Sequence, residues 1–185
     1  MPTIVKRADF VESIAAALQY ISYYHPADYI AHLARAYEGE ASPAAKDAIA
    51  QILTNSKMCA EGHRPICQDT GIVNVFLKIG MDVRFEGFSG SVEDAVNEGV
   101  RRGYLNPDNV LRASIVADPQ FERKNTKDNT PAVVHMSVVP GNTVDVQVAG
   151  PYREGCAVLI LGQAVHAAKD RLDPGRELEH AERLG

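Results

Sequence analysis

No apolar run in this sequence approaches the ~20 residues that a membrane span requires, so no membrane role is expected. No block of lysine and arginine occurs either. The formal net charge of -5 has the wrong sign for a nucleic-acid surface, and no nucleic-acid partner is expected. Three cysteines do not make a disulfide framework. They read instead as buried thiols, metal ligands or reactive groups. Met1 to Phe10 lacks the charged start and long apolar stretch of a signal peptide, so the expected location is cytoplasmic. There is no internal repeat and no low-complexity segment.

What is present is ordinary globular material. A chain of 185 residues, 45% of them hydrophobic, can bury a core as one domain or as part of a larger one. The first 57 residues read as three helices. Ile14, Leu18 and Ile21 mark one apolar face. Pro26 opens a second helix, with Tyr29, Ile30, Leu33 and Tyr37 on its inner side, and Gly39 ends it. Ser42-Pro43 starts a third, with Ala45, Ile49, Ile52 and Leu53 inward.

Ala60 to Thr70 is rich in Gly, Pro and polar residues and reads as loop. Ile72 to Ile79 is β-branched and apolar and reads as a buried strand, which Gly80 breaks. Met81 to Phe85 is a candidate short strand. Ser91 caps a helix that carries Glu93 and Asp94 early and runs to about Tyr104. Asn106 to Asn109 is a turn. Ala132 to Val139 and Thr143 to Val148 read as a hairpin across Pro140-Gly141-Asn142. Asp118 to Thr130 shows no periodicity and reads as a surface loop. Gln163 to Leu172 and the charged tail to Gly185 read as helical. The fold class expected is α+β, a helical layer packed on a mixed or antiparallel sheet.

The chemistry concentrates in Cys67-Gln68-Asp69-Thr70-Gly71. A thiolate, an amide and a carboxylate stand side by side in a Gly/Pro loop at the mouth of a buried strand. Cys67 is either a metal ligand or a small buried hydrophobe. Asp69 either moves a proton or bonds the backbone of an Asp-Thr-Gly turn. His63 and Arg64 are either solvated or hold an anion. Arg112, between Leu111 and Ala113, is either drawn inward to a substrate carboxylate, which its fork can bind twice, or a surface arginine. Cys59 and Cys156 read as buried thiols, and His135 as an ordinary strand residue. Asn125 to Thr130 carries no spacing that specifies chemistry.

The run Arg64-Pro65-Ile66-Cys67-Gln68-Asp69-Thr70-Gly71 resembles the class I, iron-sulfur fumarate hydratases and the related L-tartrate dehydratase alpha subunits. So do Ser91 to Arg102, Asn106 to Ser114, and Asn125 to Ala132, in the same order. The likeness covers most of the chain from the second helix to Ala149. It implies a reversible hydration of a small dicarboxylate, fumarate to L-malate, on a [4Fe-4S] cluster held by three cysteines. By the resemblance, Cys67 is a cluster ligand, Gln68 and Asp69 contact substrate, Asp69 is the candidate for proton transfer, and Arg112 binds a substrate carboxylate. A homodimer, or a partner beta subunit or domain, is implied as well.

The resemblance stops at Ala149. The family continues there into Lys-Gly-Gly-Gly, whereas this chain has Gly150-Pro151-Tyr152-Arg153-Glu154-Gly155-Cys156. Only Cys67 among the family's three cluster cysteines is identifiable. Two regions are therefore expected: 1–149, a fumarase-alpha-type region incomplete relative to the family domain, and 150–185, a divergent tail of frameshifted or truncated origin. A catalytically inactive fragment is the alternative to an active hydro-lyase.

Overall fold

The structure is a computed structural model that describes residues 2–67, 71–108 and 111–150, together with the strand Leu159–Leu161. In chain order, β1 (Thr3–Lys6) leads into α1 (Arg7–Tyr23), α2 (Ala27–Gly39) and α3 (Pro43–Gly62). Then come β2 (Asn74–Gly80), β3 (Val83–Glu86), α4 (Val92–Leu105), β4 (Val116–Ala117), β5 (Lys124–Asn125), β6 (Val133–Val139), β7 (Val144–Ala149) and β8 (Leu159–Leu161). The α+β class expected from the sequence holds. The sheet is mixed, with strand order β6-β2-β7-β8. No helix among the described residues is long and apolar enough to cross a membrane.

The core lies between α1, α4 and one face of this sheet. Phe10, Val11, Ile14, Leu18 and Ile21 of α1 recur at helical spacing and are buried with Val96 and Val100 of α4 and with Val75, Leu77, Val146 and Val148 of the sheet. Each such side chain contributes roughly 1.5–3 kcal/mol on burial. Helix α4 crosses α1 at close range because Gly99 has no side chain. A Cβ there would lie 2.7 Å from the Cβ of Ile14. The N-terminus of α4 is closed by a capping box. The Ser91 hydroxyl accepts from the Asp94 N–H at 3.1 Å, and the Ser91 N–H donates to the Asp94 carboxylate at 2.8 Å.

Three expectations are corrected here. The hairpin of β6 and β7 does not form, because β2 lies between them, parallel to β6 and antiparallel to β7. The 140–143 turn arches over the end of β2, where Gly80 N–H donates to Thr143 O at 2.8 Å and Met81 N–H to Val139 O at 2.9 Å. A Cβ at Gly80 would collide with the Gly141 carbonyl, so glycine is required beneath the arch. Strand β2 thus takes an interior place in the sheet, hydrogen bonded along both edges.

The second correction concerns the first residues, read as helical: Thr3–Lys6 is a strand, and it pairs in parallel with β3, the short strand expected over Met81 to Phe85. The third concerns α2 and α3. Helix α2 has no fully buried residue and α3 buries only Ser56 and Cys59, so Tyr37 and Ile52, expected inward, are exposed.

Candidate functional site

Two segments far apart in sequence converge at the start of β2. The first is the loop leading to Cys67. Helix α3 ends in a left-handed residue, His63 (φ 47°), and Arg64 N–H donates to Cys59 O at 3.1 Å. The loop is then fastened from both sides. Ile66 N–H donates to Ser22 O at 2.9 Å, and the Asn55 amide donates to Ile66 O at 3.2 Å. The His63 ring stacks on Tyr23 at 5.5 Å and its Nε2 is hydrogen bonded to the Tyr24 hydroxyl at 3.1 Å. The chain is thus held against α1 and α3 up to Cys67, which is exposed. Gln68, Asp69 and Thr70 lie outside the described residues, so the sequence-based roles of Gln68 and Asp69 rest on sequence alone.

The second segment is 111–117, between α4 and β5. It is joined to Gly71, the residue that closes the motif, by Ser114, whose Oγ donates to Gly71 O at 3.1 Å. Asn129 adds a second tie. Its Oδ1 accepts from Ser114 N–H at 2.7 Å and Ile115 N–H at 3.2 Å, while its Nδ2 donates to Gly71 O at 3.0 Å. The Asn125 amide donates to Ala113 O at 2.7 Å, and Thr126 N–H donates to Ile115 O at 2.9 Å. Arg112 rides on this segment with Leu111 and Ala113 packed on the core beside it. Its side chain is exposed rather than drawn inward, because Leu111 and Ala113 take the inner positions.

The stretch expected to be a featureless surface loop therefore contains the most buried polar residue in the region. Asn129 is 0% exposed. Its loop is set by Asp128, whose carboxylate accepts from Thr130 N–H, the Thr130 hydroxyl at 2.8 Å, and Arg101 Nε at 3.0 Å. Burial works to raise the Asp128 carboxyl. The Thr130 and Arg101 hydrogen bonds outweigh it and hold the group below the ordinary carboxylate range. Tyr104, in the last turn of α4, is hydrogen bonded to Asn129. Burial pushes its hydroxyl up to about 12, so it stays protonated. The signal available in the sequence was the crowding of Asn125, Asp128 and Asn129, types that tolerate left-handed backbone and bond locally.

Cys59 is buried, and burial pushes its thiol up, as suits the inert thiol expected there. Cys156 lies outside the described residues. His135 stacks on Phe76 at 4.8 Å on an open sheet face and acts as a strand residue. Among the described residues no group of three or more His, Cys, Asp and Glu side chains could hold a metal ion. They offer one exposed cysteine, Cys67, where a [4Fe-4S] cluster of the kind implied takes three. They do not fit a complete cluster by themselves.

Residues 11–158 match a protein family described as fumarate hydratase (Fumerase). A Methanocaldococcus jannaschii protein provisionally named L(+)-tartrate dehydratase subunit alpha is 34% identical over 106 residues, 57% of this chain and 35% of that protein. The anaerobic class I fumarate hydratase of Escherichia coli is 32% identical over 106 residues, 57% of this chain and 19% of the enzyme. Its aerobic counterpart is 33% identical over 103 residues, 56% of this chain and 18% of the enzyme. The matched stretch thus spans about a third of the first relative's length and about a fifth of the other two.

Proposed function

The chain belongs to the fumarate hydratase (Fumerase) family, and from that premise we propose that it forms part of an iron-sulfur hydro-lyase that reversibly hydrates fumarate to L-malate. In the forward direction the oxygen of water bonds one alkene carbon and a proton is delivered to the other, as the C=C π bond and a water O–H bond break. There is no net oxidation or reduction. The observation that supports this reading is the union of Gly71 with the 113–115 segment through Ser114 and Asn129. Gly71, the end of the motif, thereby lies beside the segment that carries Arg112.

Each residue then has a task. The exposed Arg112 guanidinium clamps one substrate carboxylate with two parallel hydrogen bonds. Gln68 hydrogen bonds the substrate, and Asp69 donates or removes the proton at carbon. Cys67 contributes one thiolate to a [4Fe-4S] cluster, and the other two ligands would have to come from outside the described residues. The remaining substrate contacts would come from a partner domain, beta subunit or second copy in the cytoplasm.

The test is anaerobic reconstitution of the full chain with iron and sulfide, followed by assay of fumarate–malate interconversion. Broad visible absorbance with turnover, both lost in Cys67→Ser, is the expected result. A colourless and inactive product leaves a folded but inert fragment. The tartrate dehydratase relative, matched over a larger share of its length than either fumarate hydratase, favours a second reading: loss of water from L-tartrate. Turnover of L-tartrate in preference to L-malate in the same assay selects it.

A further inference from the structure

Asn129 has no role in the chemistry described above, yet its environment is unusually complete. Its side-chain amide uses both lone pairs, on Ser114 N–H and Ile115 N–H, and donates to Gly71 O. It also bonds the Tyr104 hydroxyl. Four segments therefore meet at one fully buried amide: the motif end at Gly71, the Arg112 segment, the last turn of α4, and its own loop. The amide is set in advance. Asn129 sits in the left-handed region at φ 57°, next to an Asp128 turn already closed on Thr130 and Arg101. Nothing local in the sequence fixes Arg112 relative to residues 67–71, since more than 40 residues separate them.

We propose that Asn129 is a positioning residue, a buried clamp that sets the placement of Arg112 against the Cys67–Gly71 motif so that both engage one dicarboxylate. This rests on the hydro-lyase reading and deepens it. A two-point arginine–carboxylate contact tolerates little displacement, so a loosened clamp weakens substrate capture before it unfolds the chain. The neighbouring ties fit this division. Ser114 Oγ shares the Gly71 carbonyl, and the Asn125 amide holds Ala113 from the other side. Each spans one joint, whereas Asn129 spans both.

The experiment compares the full chain with Asn129→Gly, Asn129→Asp, Arg112→Ala, and Asn129→Gly combined with Arg112→Ala. Glycine removes the amide while keeping the left-handed backbone. Aspartate keeps an acceptor for Ser114 and Ile115 and loses the donor to Gly71. The first readout is amide exchange. Asn129→Gly should speed exchange at Ser114 and Ile115 at least about tenfold and leave α1 unchanged. Asn129→Asp should spare those two amides and loosen Ile72 and Val73.

The second readout is affinity for fumarate, L-malate and L-tartrate by calorimetry. Asn129→Gly should weaken binding by about tenfold, and the double variant should bind no worse than Arg112→Ala alone. Independent losses that multiply, or unchanged affinity in Asn129→Gly, overturn the clamp while the hydro-lyase reading stands. Exchange that rises equally throughout the chain overturns it as well. A wild-type chain that binds none of the three dicarboxylates overturns the hydro-lyase reading, and the positioning role with it.

Discussion

The seam between α1 and α4 and the polar knot around Asn129 both join segments that are distant in sequence, but by different physics. At the seam, Val11, Ile14 and Leu18 meet Val96, Gly99 and Val100 through area and shape. That attraction has no direction, so many apolar side chains of similar volume serve. At the knot, one amide meets two N–H groups and a carbonyl at fixed angles and distances. A substitute there must reproduce donors and acceptors, not volume. The seam supplies stability and the knot supplies placement, which is what a site assembled from separate loops requires.

Breaking the apolar core of α1, which continues from the seam towards β3, should have the largest effect on stability. Phe10 is buried at 1% exposure and meets Phe85 edge-on at 6.4 Å and Phe88 at 5.8 Å. Phe10→Ala should cost about 3–5 kcal/mol, read as a lower urea midpoint at unchanged slope, and Phe10→Leu should cost far less. If both cost the same, the apolar core is as directional as the knot and the contrast fails.

The knot should give an intermediate loss. Asn129→Gly orphans buried partners and should cost about 1–3 kcal/mol in the same measurement. Here the near-isosteric Asn129→Asp should not restore the wild-type value, because it lacks the donor to Gly71.

The smallest effect is expected at the α4 cap, a polar knot that lies in solvent. Ser91→Ala should cost about 1 kcal/mol. The Ser91 backbone and side-chain hydrogen bonds hold the Asp94 carboxyl below its ordinary value. A lowered folded-state value means that the cap is fully present above the ordinary Asp range and is lost as pH falls through the lowered one. The Ser91 N–H survives Ser91→Ala, so the titrating half of the cap is tested by Asp94→Asn, whose gap in stability from wild type should close on acidification. A gap that is constant down to strongly acid pH would show that the Asp94 carboxylate contributes nothing to the cap.

Legibility in the sequence divides along the same line. Helices α1 and α4 were readable because their apolar spacing and the Ser91 cap are local features. Helices α2 and α3 were readable as helices, but not their exposure: Tyr37 and Ile52 have helical spacing and little to pack against. The motif at Cys67–Gly71 stood out because a thiol, an amide and a carboxylate in one Gly/Pro loop are chemically conspicuous. Asn129 did not stand out. An asparagine in a polar loop looks the same whether it faces water or closes a buried joint, and only the partners' positions distinguish the two.

By itself, then, the sequence determined the α+β class, the presence of a strand within Ile72–Ile79 and the family, but not that Ile72 and Phe76 of that stretch are exposed. The class, the strand and the family follow from periodicity, turn chemistry and motif order, all of which act over a few residues. The tertiary structure alone decided that β2 splits β6 from β7, that β3 pairs with β1, that Arg112 is exposed, and that Gly71 and Ser114 are bound through Asn129. Pairing, burial and hydrogen bonding between remote segments depend on the packing of the whole core. No short stretch of chain carries that information.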